Sequence, residues 1–143
     1  MGKVKVGIAG LGRLGKQHAN NLAFKIPNAE LTAACSIVPA ELEYAKEQLG
    51  VADVYADYRE MLKKADIDAV AIVTTSGEHC WQIEAALDAG KHVFSDKPLG
   101  LTVEECRTAE AAVERHPELT FFLGFMRRYD PVSYTHLTLP TNS

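Results

Sequence analysis

Apolar residues in this chain fall into short continuous runs, separated by stretches with the spacing of an amphipathic helix. The runs predict six β-strands, at residues 4–9, 29–37, 51–55, 68–74, 93–96 and 119–125. The stretches between them predict five helices, at residues 14–26, 39–49, 58–64, 79–89 and 103–115. The run at 68–74 is apolar without alternation, which is typical of a strand covered on both faces.

Local signals at the ends of the helices agree with these bounds. Pro39 suits the first position of a helix, and Gly50 and Gly90 are suitable stops after the last turn. Thr102 followed by Glu105 has the spacing of a capping box at the start of the last helix. Strands that alternate with helices in this way predict an α/β fold in which βαβ units build a doubly wound parallel sheet.

The sequence Gly10-Leu11-Gly12-Arg13-Leu14-Gly15 lies between the first predicted strand and the first predicted helix. In this context G-x-G-x-x-G is typical of a dinucleotide-binding Rossmann domain. Gly10 would allow the tight turn, Gly12 the approach of a pyrophosphate, and Gly15 close packing of helix on strand. The helix N-terminus would then receive the phosphates, so all six residues are predicted cofactor contacts. A purely structural glycine turn is the alternative.

Composition and charge argue against several classes of binding partner. The chain has 143 residues and a net charge of -4, which argues against nucleic acid or an anionic membrane as a partner. It contains neither an apolar run long enough to span a membrane nor a signal peptide at its start. Three separated cysteines favour a reducing, cytoplasmic location, and the histidines and cysteines form no metal-binding pattern.

The carboxyl ends of the predicted strands carry the remaining candidate site residues. They are Ser36 after the second strand, Thr74 and Thr75 after the fourth, Asp96 and Lys97 after the fifth, and Arg127 and Arg128 after the sixth. Ligands of open parallel sheets bind at this edge, so we expect these residues around one crevice. His79, at the start of the fourth crossover helix, is added as a cofactor contact, with a merely structural helix-start role as the alternative.

Ser36 bears on the choice of cofactor. An NAD site usually carries an acid near the end of the second strand for the ribose diol, and residues 35–38 contain none. Ser36 could bond a ribose hydroxyl or a 2′-phosphate, or merely end the strand. With neither an acid to repel that phosphate nor a following arginine to attract it, we predict NAD as the working cofactor, with weak discrimination against NADP.

Lys97 is the candidate catalytic residue. Pro98 restricts the backbone of Lys97 to extended geometry, which directs the ammonium group. A lysine at this edge can hydrogen-bond a substrate hydroxyl, and burial can lower its pKa towards the working range. A solvated surface lysine is the alternative, and Arg127 with Arg128 could likewise be a solvated pair.

Several segments together resemble the N-terminal domain of the Gfo/Idh/MocA oxidoreductases, and most closely the inositol 2-dehydrogenases among them. They are Gly10-x-Gly12-Arg13-x-Gly15-x-x-His18, Gly90-Lys91-His92-Val93, Asp96-Lys97-Pro98-Leu99 and Gly124-Phe125-Met126-Arg127-Arg128-Tyr129-Asp130-Pro131. The resemblance covers residues 1–131 and implies an NAD(P)-binding Rossmann domain there. It also implies a second α+β substrate domain, which would complete the acid–base relay and is missing from this chain.

The resemblance gives two of these residues a role. Lys97 stands where the family's lysine touches both the nicotinamide side and the substrate hydroxyl, and Arg127 stands where an arginine contacts the polyol. Asp96 replaces the usual Glu, Met126 a common Asn, and Ser36 the usual acid of the second strand. The resemblance thus implies an NAD(P)-dependent oxidoreductase, in full length a homo-oligomer, that oxidises a secondary alcohol of a cyclic polyol or sugar.

The alternative function is a non-catalytic NAD(P)-binding sensor of the same fold, which would not need the lysine or the arginine pair. Residues 132–143 carry no Asp, Glu, Lys or Arg and resemble the translation of a sequencing-library adapter. We therefore expect a non-native tail there, with the native segment cut at Pro131. We also expect the chain by itself to be inactive as a dehydrogenase.

Overall fold

The computed structural model describes residues 3–96 and 99–124. Six strands and five helices alternate along this part of the chain, joined by one short 3-10 helix, Ser76–Glu78. The strands are β1 (Val4–Ala9), β2 (Ala29–Cys35), β3 (Asp53–Tyr55), β4 (Ala69–Ile72), β5 (His92–Asp96) and β6 (Phe121–Gly124). The helices are α1 (Arg13–Phe24), α2 (Pro39–Gln48), α3 (Tyr58–Lys64), α4 (His79–Asp88) and α5 (Val103–Arg115).

The strands form one parallel sheet in the order β3-β2-β1-β4-β5-β6. This is the strand order of the doubly wound dinucleotide-binding fold, as the sequence predicted. The chain leaves β1 for β2 on one side and later returns to β4 on the other side. The order therefore reverses beside β1, and a crevice opens at the carboxyl ends of β1 and β4.

Two apolar layers cover the two faces of the sheet. Alternate residues of each central strand contribute to opposite layers, as the pleat requires. In β4, Ala69 and Ala71 face the layer that includes Leu22 of α1, while Val70 and Ile72 face the layer on the other side. The second layer is completed by Met61 of α3, Ile83 and Leu87 of α4 and Ala112 of α5. Burial on both faces explains why β4 is apolar without alternation.

The end signals predicted for α2, α4 and α5 are confirmed, whereas α1 ends at Phe24, two residues earlier than predicted. Thr102 caps α5, and its Oγ accepts a hydrogen bond of 3.0 Å from the backbone N–H of Glu105. The Glu105 carboxylate accepts in return from the backbone N–H of Leu101 at 2.6 Å, one residue before the cap. Pro39 opens α2, and Gly50 and Gly90 adopt the positive φ angles of +72° and +81° after α2 and α4.

Strand lengths differ by a few residues from the sequence prediction. The second run was expected to reach residue 37, but β2 ends at Cys35, whose partner Tyr55 is the last residue of β3. The fifth strand ends at Asp96, as predicted, where Asp96 pairs with Gly124 of β6. Pairing with β3 sets the end of β2, and a single run of apolar residues does not contain that information.

Several sequence predictions lie outside the described residues. They concern Lys97 and Pro98, Arg127 and Arg128, and the tail at residues 132–143. In the ranges that the structure does describe, no helix is long and apolar enough to cross a membrane.

Candidate functional site

A cavity of about 680 Å³ opens at the carboxyl edge of the sheet, at the point where the strand order reverses. Its walls include residues at the carboxyl ends of β1, β2, β4 and β5, which the sequence analysis expected around one crevice. The predicted residues that line it are Gly10, Leu11, Gly12, Arg13, Leu14, Gly15, Ser36, Thr74, Thr75 and Asp96. A crevice at this position of a doubly wound sheet is the usual place for a nucleotide.

The three glycines of the loop do three different things. Gly10 has a φ of +99°, and a Cβ there would lie 2.5 Å from the carbonyl oxygen of Val73. A Cβ on Gly15 would collide with the carbonyl oxygen of Gly10, so α1 can approach the loop only because residue 15 is glycine. A Cβ on Gly12 would meet no atom within 4 Å. Gly10 and Gly15 are therefore needed by the fold itself, whereas Gly12 leaves space open towards the cavity.

The N-terminus of α1 begins at this open space. Gly12 is its N-cap residue, no side chain caps it, and the first turn contains no acidic residue. Uncapped N–H groups and the positive end of the helix dipole favour an anion at such a position. Leu11 is fully buried and holds the loop to the core, while the side chain of Arg13 is exposed at the cavity. The loop thus offers a pyrophosphate both open space at Gly12 and the partial positive charge of the α1 N-terminus.

Ser36 is buried just after β2, with 6% of its surface exposed. Its Oγ accepts a 3.0 Å hydrogen bond from the backbone N–H of Val38 and donates one of 2.5 Å to the carboxylate of Glu41. Glu41 lies in the first turn of α2, is half-buried, and lines the same cavity. Sequence reasoning searched only the strand end for an acid and missed Glu41. Its spacing after Pro39, at the third position of the helix, was the available signal.

The end of β4 contributes Thr74 and Thr75. Thr74 donates a 2.5 Å hydrogen bond from Oγ1 to the side-chain oxygen of Gln82, and Thr75 is exposed at the cavity. His79 is buried, with 1% of its surface exposed, and its Nε2 lies 2.9 Å from the carbonyl oxygen of Thr74. The residues lining the cavity do not include His79. His79 thus lies behind the cavity wall, and this position favours the helix-start alternative over direct cofactor contact.

A second wall of the cavity comes from residues that the sequence did not single out. Tyr58 of α3 donates a 2.7 Å hydrogen bond to the backbone carbonyl of Gln82, and its ring meets Trp81 edge-on, with 5.4 Å between centroids. The Arg59 guanidinium lies over the other ring of this pair, 4.7 Å from the Trp81 centroid. Tyr58 and Trp81 line the cavity, whereas Arg59 packs on Trp81 without lining it. Tyr58 and Trp81 belong to different helices, so only packing brings them together at the site.

Asp96 ends β5 at the cavity. Its Oδ1 is buried and has no hydrogen-bond partner among the described residues. Burial raises the pKa of this carboxyl group to about 6, and the nearby His79 partly opposes the shift. An oxygen that is desolvated without a protein partner is a place for a ligand hydroxyl or amide to donate.

The raised pKa of Asp96 predicts a stability effect. The unfolded carboxyl loses its proton near pH 4 and the folded one near pH 6, so ionisation favours unfolding over this interval. The contribution of Asp96 to the free energy of unfolding should fall as the pH rises from 4 to 6 and then level off, and comparison with Asp96→Asn separates it from the opposite contribution of His18, whose pKa burial lowers to about 4. Asp96 is only half-buried, so solvent screening reduces the effect, and we expect Asp96→Asn to be more stable than the wild type by about 1 kcal/mol at pH 7 and equal to it at pH 3.5. Urea unfolding at both pH values measures this, and equal stability at pH 7 would contradict it.

Comparison with known proteins now adds to the geometry. The profile of GFO_IDH_MocA, described as an oxidoreductase family with an NAD-binding Rossmann fold, matches residues 4–125. The chain belongs to this family. Its described part is accordingly the NAD-binding domain of a Gfo/Idh/MocA protein, and the resemblance noted in the sequence is confirmed.

Relatives from bacteria share the same domain. The chain is 34% identical over 128 residues to inositol 2-dehydrogenase of Salmonella typhimurium, covering 89% of this chain and 38% of that protein. It is 37% identical over 129 residues to scyllo-inositol 2-dehydrogenase (NAD(+)) of Bacillus subtilis, covering 90% and 37%. The chain therefore spans less than two-fifths of the length of these curated relatives.

A solved structure is more similar still. Scyllo-inositol dehydrogenase from Lactobacillus casei, crystallised with bound NAD(H) and scyllo-inositol, is 55% identical with a TM-score of 0.86. The match covers 94% of this chain and 39% of that protein. The fold, the family and NAD as the cofactor of this domain thus agree with the sequence predictions.

Proposed function

We propose that this chain is the NAD(H)-binding part of a dehydrogenase that oxidises a secondary alcohol of a cyclic polyol of the inositol class. The observation that carries this proposal is the cavity at the switch point of the sheet, where Gly12 leaves open space before an uncapped helix N-terminus. Similarity to an inositol dehydrogenase crystallised with NAD(H) supports the choice of substrate class.

Each part of the cofactor finds matching groups on this chain. The loop from Gly10 to Gly15 offers backbone N–H groups to the pyrophosphate, and Ser36 lies where the adenosine ribose is held in this fold. Thr74, Thr75 and Asp96 extend from the glycine loop along the carboxyl ends of β4 and β5, in the direction that the nicotinamide half takes. Asp96 Oδ1, which has no hydrogen-bond partner within residues 3–96 and 99–124, accepts a hydrogen bond from that half.

Bound nicotinamide supplies the hydride acceptor. The contribution of this chain is to orient both reactants and to hold the proton of the substrate hydroxyl. Lys97, next in sequence to Asp96, holds that proton at Nζ, and Arg127 binds a neighbouring polyol hydroxyl. Both residues lie outside the described part of the structure, and the family motif supports their roles.

For this chain the proposal predicts cofactor binding without oxidation of substrate. The 143-residue chain should bind NADH and oxidise no alcohol, because the groups that complete the proton relay belong to the second domain of its relatives. In the full-length protein, a homo-oligomer, formation of NADH from NAD and an inositol should be measurable as absorbance of the reduced cofactor. Tight NADH binding without turnover of any inositol or common sugar would instead favour the sensor function.

A further inference from the structure

The hydrogen bond between Ser36 and Glu41 changes which group faces the adenosine ribose. The single proton of the Ser36 hydroxyl goes to the Glu41 carboxylate, and one lone pair of Oγ accepts from Val38 N–H. Ser36 therefore has no second proton to give to a ligand. Glu41 accepts through one oxygen and retains further lone pairs, since a carboxylate offers about four acceptor positions. Ser36 Oγ keeps one lone pair, so most of the free acceptor capacity at this edge belongs to the Glu41 carboxylate.

The position of Glu41 follows from the start of α2. Pro39 begins the helix directly after the β2 end, so residue 41 lies on its first turn and can reach back to Ser36. Both residues line the cavity whose other edge is the glycine loop. In this fold the acid for the ribose diol usually stands on the strand itself. Here the acid is Glu41 on α2, which lies at the same end of β2, and its hydrogen bond with Ser36 fixes its orientation.

The charged residues that line the cavity near Ser36 and Glu41 also disfavour a 2′-phosphate there. Asp57, the N-cap residue of α3, lines the same cavity as Glu41. Among the described residues that line the cavity, the cationic side chain is that of Arg13, which belongs to the glycine loop and not to β2 or α2. A 2′-phosphate placed beside Glu41 would therefore meet like charge in a partly desolvated cavity, where the repulsion is stronger than in water.

We propose that Glu41, held by Ser36, is the residue that selects NAD(H) against NADP(H) in this protein. Its carboxylate accepts from the ribose hydroxyls of NAD(H) and repels the 2′-phosphate of NADP(H). This inference rests on the proposed function, because it requires the dinucleotide to lie along the glycine loop. It replaces the weak discrimination predicted from residues 35–38 alone with a strong one.

Equilibrium binding of NADH and NADPH to the full 143-residue chain tests the proposal, with nucleotide fluorescence as the signal. We expect the wild type to bind NADH roughly 30-fold more tightly than NADPH. Glu41→Gln keeps the size of the side chain and one acceptor oxygen, and should reduce that ratio about tenfold or more. Glu43→Gln is the matched control, because Glu43 is exposed on the same helix and does not line the cavity.

Salt dependence distinguishes repulsion from a structural effect. The preference of the wild type should shrink with rising ionic strength, while the ratio in Glu41→Gln should hardly respond. Thermal unfolding should show the same midpoint for both Gln variants. Ser36→Ala, which frees Glu41, should weaken NADH binding several-fold. An unchanged preference in Glu41→Gln, with NADH still bound, overturns the role of Glu41 and leaves the proposed function standing. A wild type that binds neither nucleotide overturns both.

Discussion

Gly12→Ala is expected to weaken NADH binding by about 100-fold and to leave the free energy of unfolding unchanged. The backbone of Gly12 has φ -69° and ψ -164°, which alanine adopts readily, and the added Cβ meets no protein atom within 4 Å. The methyl group would project into the space through which a pyrophosphate reaches the helix N-terminus. Fluorescence titration with NADH measures the first effect, and urea unfolding of the free chain measures the second.

Gly15→Ala supplies the contrast for this prediction. Its Cβ would collide with the carbonyl oxygen of Gly10, an atom of the backbone that cannot move aside alone. We expect a loss of unfolding free energy of about 3 kcal/mol before any nucleotide is added. Normal NADH affinity in Gly12→Ala would show that the cofactor does not approach the loop as proposed. A loss of stability in Gly12→Ala equal to that of Gly15→Ala would remove the distinction between the two glycines.

Lys97→Ala is expected to lower kcat/KM of the full-length protein for an inositol by about 100-fold. The loss follows from the removal of the group that we propose holds the hydroxyl proton next to the bound cofactor. NADH binding should change little, because the glycine loop and Glu41 remain. The measurement is steady-state turnover alongside an independent titration of NADH affinity. Lys63→Ala, which removes an exposed lysine from the last turn of α3, is the matched control.

Lys97→Arg sharpens the interpretation. Arginine keeps the positive charge but stays protonated at any working pH, so it cannot pass the substrate proton onwards. A proton-holding role predicts that Lys97→Arg is almost as slow as Lys97→Ala. Recovery of most activity in Lys97→Arg would mean that charge alone matters there. Full activity in Lys97→Ala would leave Lys97 with no catalytic role.

The fold was largely predictable because the sequence pattern matches the environment of each element. Residues 69–73 are continuously apolar because β4 is covered on both faces, and this alone identified a central parallel strand. The capping signals at Thr102, Pro39 and Gly50 were equally local and were confirmed. The end of β2 was not predictable in this way, since its partner strand β3 determines it.

The residues of the candidate site were likewise predictable only where their role depends on local sequence. The glycine loop could be found from sequence, because its chemistry depends on backbone conformation within six consecutive residues. His79 was assigned to the cavity from its neighbourhood in sequence, and the helix geometry places it behind Thr74 instead. Glu41 was missed because its role depends on where the first turn of α2 points.

The sequence by itself determined the family, the order of the elements and the glycine loop, because these depend on local periodicity and on short consecutive motifs. Only the tertiary structure decided which side chains share the cavity. Glu41 reaches Ser36, Tyr58 meets Trp81, and Asp96 loses water without gaining a partner among the described residues. Each of these facts depends on the packing of separate elements. The cofactor preference that we propose for this protein therefore follows from the packing of α2 against the end of β2.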